Sequence, residues 1–247
     1  MLKRHVFKLV FRVLLLAAAL FLYFSNSGLL NFTNMFDRGI SAVFLWIVWV
    51  VFTLEMLYRI IPNKRITVGS RKHYACSFRP VPSDMISGKQ CGEIAEGGEL
   101  EKASLHRGIA LSAAFWFVIT AAVILALRLI GILSPSSVLL WVLLLAVADL
   151  VFVLFLCPFR VLFLRNNCCV DCRIFNWDYF MMFAPLIIFP SFFSVSLVLL
   201  SVAVVVRWEI AVLRHPQYFL KETNANLSCE FCEDKLCRFS KRIYKNH

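Results

Sequence analysis

The chain has 247 residues, 60% of them hydrophobic, and a mean hydropathy of +0.76, whereas an ordinary soluble domain carries roughly 45–50% apolar residues. This excludes a water-soluble globule and makes lipid the chain's principal solvent. Only 17% of residues are charged, yet the formal net charge is +11. In a membrane chain that basic surplus reports orientation and contact with anionic lipid headgroups, and no recognition-helix pattern or basic stripe with interleaved aromatics points to nucleic acid.

The first apolar run extends to about Phe24 behind a basic start of Lys3, Arg4, Lys8 and Arg12. It resembles a secretory signal, but Ser25 to Gly28 is only a fair approximation to a small-residue cleavage site, so a retained first helix is expected. A second span is predicted over about Ile40–Ile61, with Trp46 and Trp49 inside it and Tyr58 and Arg59 at an interface. It is long enough to cross a ~30 Å hydrocarbon core. Pro62 to about Arg107 is the one extended polar segment, punctuated by Pro80, Pro82, Gly88, Gly97 and Gly98. It is predicted to be a loop with a short helix near Glu99–Leu105.

A third span over about Ile109–Ile132 and a fourth over Val138–Leu164 are separated by a helix-breaking turn, Leu133 to Ser137, and should form an antiparallel hairpin. Pro158, following Cys157, should kink the fourth helix near its end. Tyr179 to Leu213 is almost continuously apolar and as one helix would measure about 52 Å, too long for one bilayer core. Pro185 and especially Pro190 with Ser191 supply a turn. They divide the run into a short or re-entrant fifth segment, Tyr179–Phe189, and a full sixth, Phe192–Leu213.

Basic residues choose the topology. With about six spans, the N-terminus, the 62–107 loop, the Arg165–Arg173 loop and the tail from Arg214 onward share the cytoplasmic side and hold nearly all the Lys and Arg. The fold class expected is therefore an all-α, polytopic integral membrane bundle. Residues 1–247 form one membrane domain, with a cytoplasmic loop (62–107), a cytoplasmic cysteine-containing tail (214–247), both termini inside, and plasma or inner membrane as the location if the source is bacterial.

Two cysteine groups fall on that cytoplasmic side: Cys168, Cys169 and Cys172 after the fourth span, and Cys229, Cys232 and Cys237 in the tail. Each contains a C-x-x-C, a spacing that turns two thiolates toward one ion, and two such pairs supply the soft tetrahedral set of zinc or an iron–sulfur cluster. Cys169, Cys172, Cys229 and Cys232 are the natural quartet. The surplus thiols tilt the expectation toward iron–sulfur or redox use, with electron transfer as its most concrete version. Lipidation of the juxtamembrane cysteines, or no role, is the plainer alternative.

Charges at membrane depth are costly, about 2.5–3.5 kcal/mol each on insertion scales, so each calls for an explanation. Asp149 in the fourth span is the deepest. Glu55 and Arg59 in the second and Arg207 and Glu209 in the sixth fall toward the inner third of their helices. They could pair across the bundle and line a polar pathway, the basis of a second functional expectation: a small transporter or channel component in which cysteines are structural. Snorkelling or structural ion pairing is the plain alternative, above all for Arg207 and Glu209. Asn176 to Tyr179 is expected to be an interfacial anchor and helix start. A third expectation is a structural subunit contacting other membrane subunits. No catalytic motif of hydrolase, phosphate-loop, metalloprotease or dinucleotide type is present.

Overall fold

The computed structural model describes residues 2–36, 39–61, 73, 78–81, 91–155, 173–220 and 223–227. They form a helical bundle of α1 (Leu2–Ser25), α2 (Ile40–Ile60), α3 (Cys91–Leu129), α4 (Pro135–Leu154), α5 (Asp178–Phe183) and α6 (Phe192–Arg214). Five of these contain stretches long and apolar enough to cross a membrane, so the chain is a polytopic integral membrane protein. Six full spans are not what the described residues show. The fifth apolar segment is α5 continued by the 3-10 turn Ala184–Ile188, together only Asp178–Ile188. At helical rise it covers roughly 16–20 Å, well short of a ~30 Å core.

The break expected at Pro190 and Ser191 is present. Ser191 starts α6 with a capping box: its hydroxyl accepts the Ser194 N–H (3.2 Å) and its own N–H is donated to Ser194 Oγ (2.8 Å). Ser134 and Ser137 repeat the device at the start of α4, with Pro135 in the first turn, where a missing N–H costs nothing. Before it, Gly131 takes φ +80° as α3 ends, a left-handed conformation that favours glycine, and Ile132 N–H closes back on the Leu127 carbonyl at 3.0 Å. The α5–α6 pair is antiparallel. Trp177, just before α5, donates its indole N–H to Glu209 near the far end of α6 (3.0 Å), while Ser194 Oγ at the near end donates to the Phe189 carbonyl (2.9 Å).

The connection between α1 and α2 is folded into the bundle. Asn26 and Asn31 each cap a 3-10 turn by accepting a backbone N–H two residues on, from Gly28 (3.0 Å) and Thr33 (3.1 Å). The two tight turns drive Leu30, Phe32 and Met35 inward, all fully buried. Phe32 stacks on Phe193 and meets Phe189 edge-on, so this connection covers the α5–α6 turn. Below it the core is continuous: Leu15 and Ala19 of α1, Leu45, Val48, Phe52 and Met56 of α2, Leu139, Val142, Leu143 and Ala146 of α4, Phe183 and Leu186 of the short segment, and Leu197, Val204 and Trp208 of α6. Phe7, Leu14, Phe21 and Phe24 of α1 and Val118, Leu125 and Leu129 of α3 are exposed, the surface a bilayer would cover.

Two element boundaries differ from expectation. The helix predicted near Glu99–Leu105 is not separate: α3 runs unbroken from Cys91, so the last part of the predicted 62–107 loop is helix. The fourth helix begins three residues earlier than predicted, at Pro135, and is described to Leu154; Cys157 and Pro158 lie outside the described residues. Beyond α6, described pieces of loop and tail pair with each other. Ala225 N–H reaches the Arg79 carbonyl (2.8 Å), Pro80 and Asn224 form a bridge, and His73 stacks on Phe219 with centroids 4.6 Å apart. The loop and the start of the tail thus meet on one side of the bundle.

Candidate functional site: a buried charge layer

Arg12 is the centre of the site. It lies at mid-length of α1 and is 4% exposed, with Phe52 beneath its guanidinium at 5.5 Å. Its Nη2 donates to Glu55 Oε2 of α2 (2.6 Å), and its Nη1 to Asp149 Oδ2 of α4 (3.2 Å) and to the Ala146 carbonyl (2.6 Å). One cation thereby ties three helices. Glu55 is saturated: Oε1 takes Lys8 Nζ at 3.0 Å, and Oε2 also accepts the Tyr179 hydroxyl at 3.0 Å.

Tyr179 carries the network to a second ion pair. Its ring lies 4.3 Å beneath the Arg59 guanidinium, and Arg59 Nη1 donates to Asp178 Oδ1 at 2.7 Å. The same oxygen accepts the Tyr179 backbone N–H (2.6 Å), as a carboxylate at a helix start should. Arg59 is in the last turn of α2 and Asp178 in the first of α5, so the pair joins their ends. Lys8, Arg12 and Arg59 balance Glu55, Asp149 and Asp178, and the layer as a whole is neutral. Neutrality is what makes it tolerable: a buried charge without its partner costs several kcal/mol, roughly 3–5 when one member of a pair is removed.

Of the five intramembrane charges singled out in the sequence, Glu55, Arg59 and Asp149 lie in this layer. Glu209 lies next to the layer through Trp177. Arg207 sits on an exposed face of α6 and makes no ion pair or hydrogen bond among the described residues. Sequence reasoning placed Arg12 and Lys8 with the basic cytoplasmic start and Asp178 and Tyr179 with an interfacial anchor; the fold puts all four in the layer. Arg12's depth was the available signal. A helix beginning near residue 2 and ending near 25 puts residue 12 well inside it.

The cysteine-ligated metal centre is corrected as the reading of this protein's site. Among the described residues no group of three or more His, Cys, Asp or Glu side chains is disposed to hold a metal ion, and the polar centre the helices build consists of ion pairs. With it fall the zinc, iron–sulfur and redox descriptions of function. Cys168, Cys169, Cys172, Cys229, Cys232 and Cys237 themselves lie outside the described residues. The misleading signal was C-x-x-C spacing, which shows that two thiols can converge and nothing about the pairs meeting.

No family model, curated protein or solved structure matches the chain. What the fold and site define is a class: an integral membrane helical bundle with a neutral ionic layer buried between α1, α2, α4 and α5.

Proposed function

We propose that the protein is a small membrane transporter or channel component whose working layer is the network of Arg12, Glu55, Asp149, Arg59, Asp178 and Tyr179. The observation that carries this reading is Arg12, buried between carboxylates from two different helices inside an apolar bundle. Holding helices together in lipid does not need such charges, since small residues and single polar contacts do it at lower cost. Ionisable groups facing a bundle interior are the usual elements of ion and proton pathways.

The finer topology follows the same reading. The short segment Asp178–Ile188 and α6 bring the chain back to the side it left. Both termini and the 62–107 loop then face the cytoplasm, which is supported by the basic bias of those segments and by the pairing of Arg79 and Pro80 with 224–225. The layer then lies toward the inner end of the bundle.

The test is flux in vesicles containing only the purified protein. Proton and alkali-cation movement is recorded with internal dyes under an imposed gradient. The wild type is expected to conduct one of these ions and Asp149→Asn to abolish that conduction while eluting as a folded species. Absent flux in the wild type removes the reading. It would favour a structural subunit, for which the exposed apolar face of α3, docked on the short segment through Trp116 to the Met181 carbonyl and Phe117 to Phe180, is the natural contact surface.

A further inference from the structure

We infer that Asp178 is the proton-binding carboxylate of the layer, and that its protonation releases Arg59 and so loosens the inner end of α2 from α5. The inference rests on the transport reading for its purpose, but its chemistry stands on geometry alone.

The three carboxylates are not equivalent. Each oxygen of Glu55 already accepts a charged donor, Lys8 on one side and Arg12 with the Tyr179 hydroxyl on the other, so a proton there must displace a hydrogen bond. Asp149 is bound to Arg12 through Oδ2 and is the most exposed of the three, at 19% of its side chain. Asp178 is bound on one oxygen only. Oδ1 takes Arg59 and the Tyr179 N–H, while Oδ2 is buried with no hydrogen-bond partner. A buried carboxylate oxygen without a donor is expensive, and a proton placed on it breaks no existing bond. The side-chain amide nitrogen of Asn176, two residues earlier and 2% exposed, is likewise without a partner, as is Arg12 Nε, but of these three atoms only Asp178 Oδ2 can accept a proton.

The step is a simple transfer. A proton from water at the inner end of the bundle forms an O–H bond at Oδ2, no group leaves, and the carboxylate becomes a neutral acid. Its bond to Arg59 changes from an ion pair to a hydrogen bond with a neutral acceptor, and the attraction between the two opposite charges is lost. Arg59 keeps the Tyr179 ring and feels the charge of Asp149 on α4, so it has somewhere to go. The other groups facing the site are Glu55 from α2, Arg12 from α1 and, through Trp177, Glu209 from α6. Tyr179 connects the two halves: its backbone N–H holds Asp178 and its hydroxyl holds Glu55.

Infrared difference spectroscopy on the full chain in vesicles tests this. As pH falls, the C=O stretch of a protonated carboxylic acid should appear in the wild type, persist in Asp149→Asn and Glu55→Gln, and be missing in Asp178→Asn. Should Asp178→Asn fail to fold, Asp178→Glu serves, and its band is expected at an altered frequency and midpoint. A band that survives in Asp178→Asn, vanishes in Asp149→Asn, or is unmoved in Asp178→Glu overturns the inference. The two readings fail separately: a band at Asp178 without flux sinks transport, whereas flux with the band at Asp149 sinks only this assignment.

Discussion

Lys8 and Arg12 are one helical turn apart on α1 and bind the same carboxylate, yet their energetic weights should differ greatly. Arg12 is 4% exposed and Glu55 14%, whereas Lys8 is 38% exposed and partly screened by water and salt. In detergent unfolding, Lys8→Ala is expected to cost about 0–1 kcal/mol, and Glu55→Gln more, up to about 3–5 kcal/mol, because it removes one of the two carboxylates on Arg12 and leaves the layer with a buried positive charge uncompensated. Equal costs would show that Glu55 faces water. Legibility in the sequence followed the same division. Glu55, Arg59 and Asp149 stood out as charges within apolar runs, but Arg12 sat among basic residues that positive-inside reasoning already accounted for, and Asp178 looked sufficient as a helix start. A residue with one adequate local explanation conceals a second, long-range one.

Helix starts and stops were the most legible elements because their causes are local. Pro135 after Ser134 and Ser191 after Pro190 begin α4 and α6 through the same capping box, and Gly131 accompanies the end of α3. Packing was less legible. Nothing in the polar composition of residues 26–36 announced that Leu30, Phe32 and Met35 would be buried, since that depends on what lies across from them. Packing is also fixed by side-chain bonds between helices, among them Trp49 Nε1 to Ser196 Oγ at 2.8 Å, which ties α2 to α6. Trp49→Phe, which keeps an aromatic side chain but removes the indole donor, is expected to lower stability by about 0.6 kcal/mol and by no more than about 1.7 through the lost bond, the range of interhelical hydrogen bonds in membranes. A larger loss in thermal unfolding would mean that the indole does more than bond Ser196.

Across the whole molecule, composition identified the solvent and helix lengths the architecture, while the number of crossings depended on a segment of intermediate length that no hydropathy window classifies. Cysteine spacing was the poorest guide, because a motif specifies local convergence and a site requires tertiary convergence. Charge was informative for Glu55, Arg59 and Asp149, because burying opposite charges within one bundle forces them to find each other, whereas Arg207 lies on an exposed face. The site and the function proposed for it rest on Arg12 lying between Glu55 and Asp149. A double-mutant cycle with Arg12→Gln and Glu55→Gln, read by reversible unfolding in detergent, measures that placement directly. The expected result is a coupling energy of about 1.5 kcal/mol or more, the double variant being less damaged than the sum of the single ones; additive effects, with coupling near zero, would contradict the contact.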